Sequence, residues 1–415
     1  MNIIDELTWR GLIFQQTNEQ GLREKVEKEK ITIYVGFDPT ADSLHIGHLV
    51  PYLALHRFLD YGHKVIVLVG GGTGQIGDPS GRSEERNLLS NEQIAHNVTA
   101  VQKQVKQILQ NDEIIFANNI DWLSQISLID CLRDYGKHMS INTMLSRESV
   151  QSRLVNGISF TEFAYQLLQS IDFYELNQRY GCEVQAGGSD QWGNIVSGTE
   201  LIRKLTNGTV ETYGLTFPLI KKSDGTKFGK TASGAVWLSP EKTSPYEFYQ
   251  FWINTADADV IHYLKVFTFL SQTEIADYEI SVAKEPELRK AQKYLAASVT
   301  ELVHGKEALE RAMKITDALF TGNIAELSAA ELSIALKDGP TFEFNGTGKI
   351  LDVLAELKII SSKRQGREFL QNGALRINGN VISDENYLIT QEQAIDGELT
   401  VVRRGKKQYS IIKHI

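Results

Sequence analysis

The stretch Ile31-Thr32-Ile33-Tyr34-Val35-Gly36-Phe37-Asp38-Pro39-Thr40, followed by His48–Tyr61 and Lys64-Val65-Ile66-Val67-Leu68-Val69, decides the fold. β-Branched and aromatic residues fill Ile31–Gly36, which reads as a strand ended by the turn Phe37-Asp38-Pro39-Thr40. From His48 to Tyr61, Leu49, Tyr52, Leu53, His56 and Leu59 recur at helical spacing, and Gly62 stops the helix. Lys64–Val69 is a continuous apolar run of the kind a buried parallel strand carries. Strand, helix, strand in this order predicts an α/β fold with a doubly wound parallel sheet that takes ligands at the carboxyl ends of its strands.

Beyond this unit, residues 91–180 read as mainly helical and lie between two halves of the sheet. Cys182–Ala186 reads as a further strand, opening into Gly187-Gly188-Ser189-Asp190-Gln191. Pro245 to about Phe320 is helical with scattered acids. Asp338-Gly339-Pro340 and Asn345-Gly346-Thr347-Gly348 look like linker, and the last 65 or so residues read as short helices and strands with a hairpin signal at Arg376-Ile377-Asn378-Gly379-Asn380-Val381. The 415 residues suggest two or three domains. With 42% hydrophobic and 23% charged residues the chain is globular. The net charge is −9, which argues against a general polyanion binder. Residues 346–415, however, hold 11 Lys/Arg and 8 Asp/Glu, a net of +3 that leaves −12 on the rest, so any nucleic acid is held locally. Cys131 and Cys182 are far apart and in no metal-like spacing, which argues against a disulfide framework and a zinc site. No apolar run is long enough to span a membrane, and Met1–Gln16 has no signal-peptide core, so the chain reads as cytosolic.

Four patterns carry chemistry. His45-Ile46-Gly47-His48 sets two imidazoles at a helix N-terminus, where free N–H groups and the helix dipole favour phosphate; Gly47 allows close approach of a ligand. Lys221-Lys222-Ser223-Asp224-Gly225-Thr226-Lys227-Phe228-Gly229-Lys230-Thr231 puts four lysines in a glycine-containing loop able to close on a polyphosphate. It is not a Walker loop, because the first glycine of that pattern would fall at Asp224. Gly72-Thr73-Gly74-Gln75-Ile76-Gly77 matches the dinucleotide fingerprint formally, but Asp78-Pro79 follows where a helix must open, which disfavours a nicotinamide enzyme. Nearby, Asp78 offers a carboxylate for an ammonium group, and Arg82 and Arg86 offer charge for phosphates. Tyr165, Gln169 and Asp172 share one face of a helix that starts with the capping box Ser159-x-x-Glu162, a polar stripe suited to a small polar ligand.

These residues resemble the class I aminoacyl-tRNA synthetases. His45–His48 is similar to the histidine signature of the class, and Lys227–Thr231 to its lysine loop in the tyrosyl form. Tyr34–Asp38, the stripe Tyr165/Gln169/Asp172 and Gly187–Gly193 resemble the tyrosyl branch in order and spacing. The resemblance implies a Rossmann-type catalytic domain with a helical insertion over 1–220, a mobile lysine loop over 221–245, an α-helical anticodon-side domain over 246–325, a linker over 326–345 and an S4-like α+β RNA-binding domain over 346–415. It implies L-tyrosine, ATP with Mg²⁺ and tRNA(Tyr) as substrates, a homodimer, no tightly bound cofactor and no protein-held metal. Tyrosine is adenylated with release of pyrophosphate and then passed to the terminal adenosine of the tRNA.

Carried over by position, Tyr34 and Asp172 bind the phenolic hydroxyl. Asp78, Tyr165 and Gln169 bind the ammonium group, and Gln191 lies beside the carboxylate. Thr40 and His45 hold the pyrophosphate in the transition state, with His48, Asp38 and Gly47 toward the nucleotide and Gly188 and Asp190 at the ribose. Arg82, Arg86, Lys227, Lys230 and Thr231 form the cationic clamp. Apart from the carried-over roles, the terminal module's Lys363, Arg364, Arg367, Arg376, Arg403, Arg404, Lys406 and Lys407 could neutralise tRNA phosphates, the alternative being a solvated charged surface. Gly366 stands inside that module's first basic helix, where it costs about 1 kcal/mol of helix propensity. The tryptophanyl branch shares the architecture, but an indole suits the Tyr34–Asp172 pair less well than a phenol does.

Overall fold

The computed structural model describes residues 1–80, 89–154, 157–226, 228–231, 234–405 and 408–415, with only the backbone of 230 and 231. The chain divides into two compact units, 1–243 with 252–303 and 244–251 with 304–415.

The first unit is built on a six-stranded sheet. Its strands are β1 (Gln15–Gln16), β2 (Thr32–Phe37), β3 (Lys64–Val69), β4 (Ile115–Asn118), β5 (Val184–Gly188) and β6 (Tyr213–Phe217), in the spatial order β1-β6-β5-β2-β3-β4. β1 pairs antiparallel with β6, and every other neighbour is parallel. The winding reverses between β2 and β5, where Tyr34 stands opposite Gln185, so the crevice above their carboxyl ends is the topological switch point. Ile33, Val67 and Val184 are fully buried, as strands covered on both faces require. A 3₁₀ turn, Ile46–His48, leads into the helix Leu49–Asp60, and Asn91–Leu109 crosses over to β4 with Ile94, Val101, Val105 and Ile108 turned inward.

Residues 91–180, expected to be mainly helical, thus include the strand β4. Its apolar run, Ile114–Ala117, is too short for periodicity to separate strand from helix, and pairing with β3 decides the matter. The Gly72–Gly77 stretch makes a single 3₁₀ turn, Thr73–Gln75, and opens no long helix. A two-residue hairpin of β7 (Lys230–Thr231) and β8 (Gly234–Ala235) lies in the lysine loop. Two buried arginines anchor the helix Asp257–Phe267. Arg57 Nη2 donates to the carbonyls of Val266 at 3.1 Å and Thr268 at 2.7 Å, and Arg10 Nη2 donates to that of Leu270 at 2.7 Å. They satisfy carbonyls that a helix end leaves without partners. The helical stretch expected as one domain over 246–325 is therefore divided, with Asp257–Phe267 in the first unit and Lys306–Thr321 in the second.

The second unit holds β9 (Thr341–Phe344), β10 (Gly348–Lys349), β11 (Leu375–Ile377), β12 (Asn380–Val381), β13 (Leu388–Ile389), β14 (Leu399–Arg404) and β15 (Gln408–His414). Five of them form a sheet in the order β12-β11-β14-β15-β9. Asn378 and Gly379, at φ 47° and 87°, make the type I′ turn that the hairpin signal promised. Residues 326–345, expected to be linker, contain β9 and the helix Ala329–Ala335. Ser328 and Glu331 cap that helix reciprocally, and Leu327 and Leu332 pack against Val401 and Ile411. Gly366 has a packing reason: a Cβ there would lie 2.5 Å from Leu351 Cδ2 and 2.8 Å from Ile360 Cδ1.

Candidate active site

A cavity of about 460 Å³ opens at the switch point of the first unit. Tyr34, Asp38, Thr40, His45, Gly47, His48, Asp78, Tyr165, Gln169, Asp172, Gly188, Asp190 and Gln191 all line it. β2 delivers Tyr34, the turn after it Asp38 and Thr40, the end of β5 Gly188, and the helix Phe160–Tyr180 the Tyr165/Gln169/Asp172 stripe. Arg82, Arg86 and Lys227 lie outside the described residues, as do the side chains of Lys230 and Thr231.

One end of the cavity fits a hydroxyl. Asp172 is 2% exposed; its Oδ1 accepts from Trp122 Nε1 at 2.8 Å and its Oδ2 from Asn119 Nδ2 at 2.9 Å. Burial pushes its carboxyl up to about 7, against the pull of those two bonds. The hydroxyl of Tyr34, itself 1% exposed, finds no hydrogen-bond partner among the described residues. A buried hydroxyl in that state costs about 1–3 kcal/mol. A phenol satisfies both groups, donating to the carboxylate and accepting from Tyr34.

The middle of the cavity is rich in acceptors. Tyr165 donates its hydroxyl to Asp38 Oδ2 at 2.8 Å, which leaves its lone pairs to accept. Gln169 Oε1 accepts from Asn194 at 2.9 Å, and Asp78 Oδ2 from Gln191 Nε2 at 2.7 Å. Thr73 donates to Asp38 Oδ1 at 2.7 Å, and Asn119 donates to Thr73 at 2.9 Å as well as to Asp172. Asn119 thereby ties the phenol end to the acceptors around Asp38. This arrangement suits an ammonium group.

The other end is a pair of donors. His45 Nδ1 accepts from the Gly47 N–H at 3.1 Å, and His48 Nδ1 from the His45 N–H at 3.2 Å. A neutral imidazole that accepts at Nδ1 carries its proton on Nε2, so the reciprocal cap fixes both tautomers. Burial, then the adjacent His45, pushes His48 down to about 3, and the two rings lie 3.9 Å apart. Together the rings offer neutral N–H donors where a nucleotide's phosphates can approach a helix N-terminus.

Among the basic residues expected to face RNA, Lys363 pairs with Asp352, Arg364 with Glu368 and Arg367 with Glu385, while Arg376 donates to the Gly379 carbonyl. Exposed pairs of this kind contribute about 0–1 kcal/mol, so a phosphate can displace them. Lys406 and Lys407 lie outside the described residues. Among the described residues no cluster of three or more His, Cys, Asp or Glu could hold a metal, and no helix is long and apolar enough to cross a membrane.

Sequence reading missed Asn119, Trp122, Thr73 and the buried Gln185, which lines the cavity beside Tyr34. The signal for Asn119 was the polar pair Asn118-Asn119 ending an apolar run, visible once that run is read as a strand.

Comparison with known proteins gives a consistent picture. Residues 26–321 match the family model of tRNA synthetases class I (W and Y), and residues 331–412 that of the tyrosine–tRNA ligase SYY-like C-terminal domain. A tyrosine–tRNA ligase of Staphylococcus saprophyticus is 55% identical over 99% of both chains. The structure of a C-terminally truncated Aspergillus nidulans mitochondrial tyrosyl-tRNA synthetase superposes with TM-score 0.70 at 32% identity, covering 77% of this chain and 94% of that one. A tryptophanyl-tRNA synthetase from Encephalitozoon cuniculi, bound to tryptophan, shares the fold at TM-score 0.54 and 14% identity, over 74% of this chain and 87% of its own.

Proposed function

Because the chain belongs to the tyrosine–tRNA ligases of the class I tRNA synthetases, we propose how its own residues divide that work. The enzyme activates L-tyrosine with ATP to tyrosyl-adenylate and pyrophosphate, then transfers tyrosine to the 3′-terminal adenosine of tRNA(Tyr).

Tyr34 and Asp172 read the phenolic hydroxyl. Asp78, Tyr165 and Gln169 hold the ammonium group, and Gln191 stands beside the carboxylate. That carboxylate is already a nucleophile, so attack on the α-phosphate needs no general base, only alignment and stabilisation of the leaving pyrophosphate. Thr40 and the Nε2–H of His45 donate to the leaving phosphates. His48, Gly47 and Asp38 face the nucleotide, and Gly188 and Asp190 the ribose. Arg82, Arg86, Lys227, Lys230 and Thr231 close over the triphosphate, which enters with Mg²⁺ as part of the substrate.

The observation that carries the choice of tyrosine is the buried Tyr34 hydroxyl, without a partner among the described residues, in the same cavity as Asp172 and the histidine pair. Phenylalanine leaves both polar groups unpaired, and an indole offers a donor to Asp172 but no acceptor to Tyr34. ATP–pyrophosphate exchange with each amino acid tests this: tyrosine drives it, and equal exchange with tryptophan would overturn the assignment.

The second unit's basic residues grip tRNA. A cytoplasmic homodimer completes the reading. It is supported by the exposed apolar side chains of Leu128, Ile129, Leu132, Ile141, Leu154 and Phe160, all between β4 and β5. Light scattering is expected to give twice the 46.6 kDa chain mass; the single-chain mass would refute the dimer.

A further inference from the structure

His45 is held from outside the cavity as well as from within it. Residues 44–46 run antiparallel to 236–238: the Ile46 N–H donates to the Val236 carbonyl at 3.0 Å, and the Leu238 N–H to the Leu44 carbonyl at 2.8 Å. That pairing brings the Trp237 indole edge-on to the His45 ring, 6.2 Å between centroids and 63° between planes. The His48 ring also packs against it, at 3.9 Å between centroids. Trp237 is itself fixed. Its N–H donates to Thr243 Oγ1 at 3.0 Å, and Lys242 Nζ sits over its ring at 4.9 Å while pairing with Asp42. The same segment reaches the lysine loop, because the Val236 N–H donates to the Gly229 carbonyl at 3.0 Å. Gly229, at φ +81°, lies so close to Ile46 that a Cβ would come within 3.2 Å of Ile46 Cγ1.

We infer that Trp237 is a positioning residue for adenylate formation: its indole walls the His45 imidazole so that the Nε2–H points at the departing pyrophosphate. The hydrogen bond accepted at His45 Nδ1 fixes the tautomer. The rings of His48 and Trp237, both packed against the imidazole, restrict its rotation about its own side-chain bonds. Small misplacement of a catalytic group is expensive, about 10²-fold for 1 Å. Trp237 is not among the residues that line the cavity with the phenol-reading pair and the ammonium acceptors, so its effect belongs to the activation rate and not to tyrosine binding.

The inference rests on the role proposed for His45, and a double-mutant cycle on the full-length enzyme separates the two. Tyrosine affinity by equilibrium dialysis and the pre-steady-state rate of adenylate formation are measured for Trp237→Ala, Trp237→Phe, His45→Ala and Trp237→Ala/His45→Ala. Trp237→Ala is expected to slow adenylate formation about tenfold or more with tyrosine affinity unchanged. Trp237→Phe, which keeps an aromatic wall, restores most of the rate. In the His45→Ala background Trp237→Ala costs nothing further. Additive losses, or a tyrosine affinity that falls in step with the rate, would overturn the inference. A His45→Ala enzyme with a normal rate would instead overturn the role of His45.

Discussion

L-Tyrosine binding should release a proton near neutral pH, and the group responsible is Asp172. In the free enzyme its carboxyl is pushed up to about 7 by burial, so at pH 6 most molecules hold it protonated. The phenol needs the ionised form, because its O–H donates and a carboxylate accepts best. Binding therefore lowers the Asp172 pKa, and affinity rises with pH until the carboxyl is ionised in the free enzyme too. With a free-state value of about 7, the competent fraction is roughly one in eleven at pH 6 and nine in ten at pH 8. The dissociation constant should thus fall about tenfold between these values, equivalent to about 1.4 kcal/mol. His48, pushed down to about 3, stays neutral across the window and does not contribute. Calorimetry at pH 6 in two buffers of different ionisation heat reads the proton directly, about 0.9 per tyrosine bound. At pH 8 the release shrinks to about 0.1. Equal affinity at the two pH values with no proton release would refute a desolvated Asp172 as the phenol's acceptor, and tighter binding at pH 6 would reverse it.

Tyr34→Phe should stabilise the ligand-free enzyme, because it removes a buried hydroxyl without a partner among the described residues, and weaken tyrosine binding by about 1 kcal/mol, some fivefold. Thermal unfolding with and without tyrosine checks both signs. His45→Ala should slow adenylate formation by about 10²–10³ while tyrosine affinity holds, as rapid-quench kinetics can show. Gly366→Ala should destabilise the second unit by about 1–3 kcal/mol despite alanine's better helix propensity, because its Cβ meets Leu351 and Ile360. A lower urea midpoint for the C-terminal transition is the expected readout, and a higher one would show that the helix shifts freely.

Strong local patterns made the sheet's centre legible. β2, the helix Leu49–Asp60 and β3 all follow from apolar runs closed by Gly and Pro. The type I′ hairpin follows from Asn378-Gly379. The stripe Tyr165, Gln169 and Asp172 was legible from spacing along one helix face, whereas the resemblance to the class I synthetases brought Tyr34, Thr40, Gly188, Asp190 and Gln191 to the same site; all of them line the cavity. What stayed hidden depends on distant partners. β4 becomes a strand only by pairing with β3. Asn119 and Trp122 matter only because they donate to Asp172, about fifty residues away. Residues 326–345 looked like linker because Asp338-Gly339-Pro340 and the Asn345-Gly346-Thr347-Gly348 that begins at their end read as turns, yet Leu327 and Leu332 find cover in β14 and β15. Gly366 looked like a weak point in a helix, and only its neighbours show why nothing larger fits.

The most direct measurement compares pyrophosphate exchange driven by L-tyrosine and by L-phenylalanine in the wild type and in Asp172→Asn. The substitution removes the carboxylate that accepts the phenolic hydrogen bond, a bond that a bare phenyl ring does not make, and the new amide keeps an acceptor for only one of the donors Trp122 and Asn119. A hydrogen bond to a charged group is worth about 1.5–3 kcal/mol, so tyrosine-driven exchange should drop by at least about tenfold. Phenylalanine-driven exchange should stay level or rise. An equal fall with both amino acids, or no fall with tyrosine, would contradict the reading of Tyr34 and Asp172 as the groups that choose the substrate.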